Sequence, residues 1–154
     1  MYKRQPSVGA FASVLIGALA NGLISPTVLF AGLFIFFFML FNLPAFRDTT
    51  DIKEDKMFGV KSLATILSWK QRLEMSILSI LVIMTLTPLT YVNFGFNVIF
   101  PIVVVAMSLL VLRFIFPLIN RLEQTKYERT VKYIASYFYI SQIAMVMASI
   151  PTLL

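Results

Sequence analysis

Three carboxylates stand at Asp48, Asp51 and Asp55 within the stretch Arg47-Asp48-Thr49-Thr50-Asp51-Ile52-Lys53-Glu54-Asp55-Lys56-Met57-Phe58-Gly59-Val60-Lys61-Ser62. Their spacing is i, i+3 and i+7, which on a helix holds them within an arc of roughly 60°, on a single face. Carboxylates gathered in this way repel one another unless a positive charge sits among them. A hard divalent cation bridging to phosphate oxygens is the natural occupant. Lys53, Lys56 and Lys61 stand close enough to complete an anion site around that cation. The competing reading is a solvated loop of mixed charge with no particular task, and charge pattern alone favours it. The rest of the chain narrows the chemistry. It contains no cysteine and no histidine, which removes disulfides, thiol nucleophiles, imidazole proton transfer and the usual zinc ligand sets. Any metal held here is held by oxygen: Mg²⁺, Mn²⁺ or Ca²⁺.

The elements that must position this stretch are membrane helices. Of 154 residues, 59% are hydrophobic and 13% charged, and the mean hydropathy is +0.88. A soluble domain carries about 25% charged residues. From Gln5 to Phe46 no residue is charged. Such a run would make about 63 Å of helix, roughly twice the thickness of a bilayer core, so it must fold back once. Asn21-Gly22 followed by Ser25-Pro26 is the breaker, with a helix restarting at the proline. A second charge-free run, Met75 to Leu112, is interrupted at Thr90 to Asn97 by a turn whose aromatic residues suit a membrane interface. The reading is an all-α integral membrane protein with about five transmembrane helices, at 8–24, 26–45, 75–91, 98–118 and 133–154. Residues 1–154 then form a single membrane helical domain. A cleaved signal peptide is disfavoured for the first run, because no cleavage region precedes a hydrophilic mature domain.

Orientation follows from Lys and Arg. Lys3 and Arg4 at the N-terminus fall on one side of a five-span fold. So do Arg47, Lys53, Lys56, Lys61, Lys70 and Arg72 of the central loop, and Arg121, Lys126, Arg129 and Lys132 of the last link. The opposite loops, near Asn21–Ser25 and Val92–Asn97, have no Lys or Arg. The N-terminus and the acidic loop are therefore expected in the cytoplasm, with the protein multi-pass in the cell membrane. Net charge is +6, but the basic residues mark topology and not a nucleic-acid surface. Topology rewards Lys and Arg in this loop but not Asp, so the acids need another reason. Arg113 is read as snorkelling to the interface, and Glu123–Lys132 as a solvated helical extension. Ser13/Gly17 and Ala144/Ala148 are read as close-packing positions, and Phe34–Phe38 as lipid-facing or core residues.

The string from Asp48 through Asp51, Asp55, Gly59, Lys61, Ser62 and Leu63, directly after an apolar helix, resembles the second Asp-rich motif of the UbiA-type intramembrane prenyltransferases. That motif runs approximately D-x-x-D-x-x-x-D-x-x-x-G-x-[KR]-[ST]-L. Glu54 stands where many members have glycine, and Ser62 where many have threonine. Lys3-Arg4-Gln5-Pro6 loosely resembles the link entering the family's fifth helix. The resemblance implies the last five helices of a nine-helix bundle. It also implies Mg²⁺ bound through Asp48, Asp51 and Asp55, with Lys56 and Lys61 near the diphosphate of a polyprenyl donor. The activity implied is transfer of the polyprenyl group to a lipid-soluble or aromatic acceptor in the membrane lipid. No Asp precedes Asp48, so the first Asp-rich motif has no counterpart. A chain supplying the missing N-terminal helices is the partner this implies, and the chain alone is expected to be incomplete or inactive. The alternative is a non-catalytic membrane subunit that binds a lipid diphosphate or a partner chain. A cation transporter is disfavoured because, of the charged residues, only Arg113 lies within an expected span.

Overall fold

The computed structural model describes residues 6–22, 24–49, 51–120 and 123–150. Lys3, Arg4, Thr50, Arg121 and the end of the last expected span, 151–154, lie outside the described residues. Among the described residues there are seven α-helices. They are α1 (Pro6–Ala20), α2 (Pro26–Phe46), α3 (Ile52–Met57), α4 (Leu63–Ile66), α5 (Trp69–Thr90), α6 (Ile99–Asn120) and α7 (Gln124–Ser149). A 3₁₀ turn, Tyr91–Phe94, follows α5.

Helices α2, α5 (with its 3₁₀ extension) and α6 are long and apolar enough to cross a membrane; α1 is apolar but shorter. At 15 residues α1 is about 22 Å long, whereas α6, at 22 residues, reaches about 33 Å. At most a third of each long candidate span is buried, and outward residues are apolar: Leu78, Val82, Leu89, Ile102 and Leu109 are all exposed. A surface of that composition suits lipid.

The break between α1 and α2 follows the expected chemistry. Gly22 takes φ +64, a left-handed conformation that glycine adopts without strain. Ser25 caps α2 by accepting from the Val28 N–H at 3.3 Å, with Pro26 in the first turn. Helix α1 closes at Ala20, earlier than expected, because the Asn21 and Gly22 N–H groups turn back to Ala18 and Leu19 carbonyls.

Helix α5 begins earlier than expected, and α7 includes the extension expected before its span. Helix α5 starts at Trp69 instead of Met75, with Ser68 and Gln71 forming a reciprocal capping box. Its charges are accommodated within the helix: Lys70 and Glu74 pair on the exposed face at 3.8 Å, while Arg72 turns inward. Helix α7 starts at Gln124, so the charged link is the helical extension expected before the last span, with Lys126 paired to Glu123 at 3.0 Å.

Helix α2 lies at the centre, packed against α1, α5 and α7, and α6 fills the space between α5 and α7. Gly32 lets α1 approach closely; a Cβ there would sit 3.0 Å from the Phe11 ring. The expected close-packing positions divide. Ala144 and Ala148 are buried, but Ser13 and Gly17 lie on an exposed face of α1, so they do not mediate helix contact here. Phe34 and Phe38 are core and Phe37 is exposed, as the alternation of faces on a helix requires. A buried polar set, Asn42 with Ser76 and Ser79, links α2 to α5, and Ser108 with Tyr137 links α6 to α7 at 2.7 Å. Such pairs hold apolar helices in register where water is absent.

Candidate functional site

The acidic stretch hangs from the C-terminus of α2, and the way that helix ends decides where it points. The Arg47 and Asp48 N–H groups both return to the Leu43 carbonyl, at 2.8 and 2.9 Å. The last carbonyls of α2 therefore need other donors. Pro44 C=O accepts from Arg72 Nη1 at 2.9 Å. Ala45 C=O accepts from Thr49 Oγ1 at 2.8 Å. Phe46 C=O accepts from the Tyr127 hydroxyl at 2.7 Å. Arg72 Nη1 also donates to Thr49 Oγ1 at 2.8 Å, so one hydroxyl both accepts and donates. Three elements thus converge on one helix end, and Asp48 leaves from it.

The three acids do not share one helix. Asp48 lies in the turn after α2, which the Asp51 N–H closes onto Asp48 C=O at 3.2 Å; Asp51 occupies the N-cap position of α3, and Asp55 lies inside it. The expected single helical face is corrected accordingly: the capped end of α2 imposes a turn before the helix can restart. Helix α3 is only six residues long. It stops in a Schellman arrangement, with Val60 N–H on Asp55 C=O at 2.8 Å, Gly59 N–H on Lys56 C=O at 3.2 Å, and Gly59 at φ +64. That turn brings Ser62 back over the acid, where its hydroxyl donates to Asp55 Oδ2 at 3.4 Å. Ser62 also caps α4 through a box with Thr65. The glycine and the serine of the motif tail therefore have local structural reasons to be what they are.

Lys53, Lys56 and Lys61 are exposed on the same loop. Among the described residues no group of three or more acidic side chains is gathered closely enough to hold a metal by itself. The donor chemistry is right for a hard cation, since every candidate ligand is a carboxylate oxygen. Mg²⁺ is usually held by one or two carboxylates together with substrate phosphates and water. The loop fits that partial role and not a closed cage.

Sequence reading missed the residues that hold this loop. Arg72, counted among loop charges, is 5% exposed, and Tyr127, in the charged link, is 7% exposed. Trp69 joins them, its indole N–H donating to Leu118 C=O at 3.2 Å and its ring lying edge-on to Tyr127. The available signal was the pair of aromatic residues embedded in otherwise charged segments, which suits burial at one end with a polar handle at the other. A separate open cleft of about 360 Å³ is lined by Thr125, Glu128, Arg129, Lys132 and Tyr133. It lies on the face of α7 opposite Tyr127 and Thr130, so it is not part of this loop.

The model of the UbiA prenyltransferase family matches residues 6–143. The chain belongs to this family. The match spans α1 to α6 and most of α7, and includes the whole acidic loop. UbiA proteins are generally Mg²⁺-dependent and take a prenyl diphosphate as substrate. No curated protein and no solved structure matches the chain.

Proposed function

We propose that this chain carries the second Asp-rich half-site of a UbiA-type prenyltransferase and binds a polyprenyl diphosphate with Mg²⁺. The observation that carries the reading is the family match across residues 6–143, which contains the acidic loop. In this reading α1, α2, α5, α6 and α7 are the last five spans of a nine-helix bundle, with the N-terminus and the acidic loop in the cytoplasm. Twelve of the 13 Lys and Arg on one side of that arrangement support it.

Asp48, Asp51 and Asp55 are the proposed carboxylate ligands, and Lys56 and Lys61 the cations nearest the diphosphate. Mg²⁺, when bound, supplies neutralisation of the charge that develops on the leaving group. The lysines add to it from an exposed loop that a charged headgroup can reach. In the parent reaction the bond between the allylic carbon and the diphosphate oxygen breaks, and its electron pair leaves with the diphosphate. A nucleophilic atom of a lipid-soluble or aromatic acceptor then bonds to that carbon and releases a proton.

A second reading, a non-catalytic membrane subunit that binds a lipid diphosphate or a partner chain, is favoured by one observation: among the described residues no group of three or more acidic side chains is gathered closely enough to hold a metal by itself. Both readings need the same binding event. It is tested by titrating geranylgeranyl diphosphate into the purified protein in detergent, with and without Mg²⁺, for wild type and Asp51→Asn/Asp55→Asn. Mg²⁺-dependent binding that the double variant loses is the expected result. Equal binding by both, or by neither, would mean that the loop is not a diphosphate site. Adding a polypeptide that supplies the N-terminal helices, and assaying transfer, then separates enzyme half from binding subunit.

A further inference from the structure

We propose that Arg72 is the positioning residue of the acidic turn, fixing Asp48 and Asp51 from beneath by closing the end of α2, without touching the diphosphate itself. For its ligand this inference rests on the reading above; for its geometry it rests on the structure alone.

Arg72 sits in the first turn of α5, 28 positions from Pro44, whose carbonyl it caps. At 5% exposure its guanidinium is covered. Nη1 is occupied by Pro44 C=O and by Thr49 Oγ1, and the group lies over the Trp69 ring at 5.4 Å. Trp69 is itself pinned to the end of α6 through Leu118 C=O. The cation is therefore held between the end of α2 and the start of α5, and Trp69 ties that start to the end of α6. Burying an arginine is costly unless its donors are used, and here its Nε has no partner among the described residues. A charge kept buried with a donor unused is poorly explained by packing alone.

What it gains is control of the turn. Thr49 separates Asp48 from the next acid, and its hydroxyl is fixed between Arg72 and Ala45 C=O. Rotation of the turn about the end of α2 breaks both bonds. Asp48 is also within electrostatic reach of the guanidinium, so the same cation that anchors the backbone attracts the first carboxylate. The planar fork matters: a lysine ammonium at this position keeps the charge but not the fixed directions of the two bonds.

The chain has no cysteine, so spin labels can be placed selectively. Glu54→Cys on α3 and Leu109→Cys on α6 report the position of the loop against the bundle, since both residues are exposed. Pulsed electron paramagnetic resonance should give a narrow distance distribution in otherwise native protein. It should broaden in Arg72→Met, with Arg72→Lys intermediate. In the same proteins, Mg²⁺-dependent geranylgeranyl diphosphate affinity should fall about 10- to 100-fold in Arg72→Met, the range for a residue that orients ligands without being one. Should Arg72→Met fail to fold, Thr49→Val removes the bridging hydroxyl alone and must broaden the distribution. An unchanged distribution in every variant that folds would overturn the proposal. Loss of binding with an unchanged distribution would overturn it too, because Arg72 would then be acting on the ligand directly. A broadened distribution in a protein whose wild type shows no Mg²⁺-dependent binding would leave Arg72 as the anchor of the turn and remove the diphosphate reading instead.

Discussion

At the end of the bundle that carries the acidic loop, helix termini are closed by directed hydrogen bonds. At the opposite end the caps are local and the contacts between elements are mostly between rings. Phe30 of α2 meets Phe94, Phe96 and Phe100 at centroid separations of 4.6, 5.5 and 5.7 Å, and Phe96 lies 4.6 Å from Phe100. Thr27 Oγ1 to Phe94 C=O and Asn97 N–H to Ala148 C=O add long-range bonds there. Ring pairs are favourable over a range of offset and edge-on arrangements and centroid separations, and so tolerate small rotations. A carbonyl cap loses most of its value when the donor swings away. The ring-closed end is therefore suited to holding the bundle together, and the capped end to holding a loop in one orientation. Charge follows the same division, since the residues of the ring-closed end are uncharged while the other end carries the acids, the lysines and Arg72.

That contrast can be broken by substitutions at the two ends. The largest effect on stability is expected from Phe100→Ala, which empties a position with no exposed surface. It should cost about 3–5 kcal/mol, read as a lower denaturation midpoint in detergent, while Mg²⁺-dependent diphosphate affinity in the folded fraction stays unchanged. A loss of affinity without loss of stability would mean that the two ends are not separable. Tyr127→Phe is expected to cost less, about 1–3 kcal/mol, by leaving the buried Phe46 carbonyl without its donor. Here affinity should fall along with stability, because the change lies at the capped end; an affinity equal to wild type would show that capping by Tyr127 does not reach the loop. Gly59→Ala should be the smallest, about 1–2 kcal/mol from a left-handed backbone conformation. Its effect should be local: faster amide exchange at Val60 and Ser62, with α2 and α5 unchanged.

Much of the fold was legible because a bilayer imposes simple rules on sequence. Charge-free runs twice the length of a span must turn, and Asn21-Gly22 with Ser25-Pro26 is where this one does. The positions of α2 and α6 were readable to within two residues. The start of α5 was not, because charge was taken as the end of helix. Helix α5 instead keeps Lys70 and Glu74 outside and buries Arg72, while α7 runs through its charged link as the helical extension read there. At the ring-closed end the turn stands where it was read, with Phe96 buried in the bundle.

By itself the sequence determined that this is a helical chain with helices apolar enough to cross a membrane, and with three aspartates and three lysines in one loop after such a helix. Composition and periodicity suffice for that, because they report what each segment must do with solvent. It also carried the spacing that resembles the family motif. Tertiary structure decided how the loop is held. Arg72 reaches Pro44 across 28 positions, and Tyr127 reaches Phe46 across 81. Contacts at such separations leave no periodic trace, because the donor is chosen by which carbonyl the fold leaves unsatisfied.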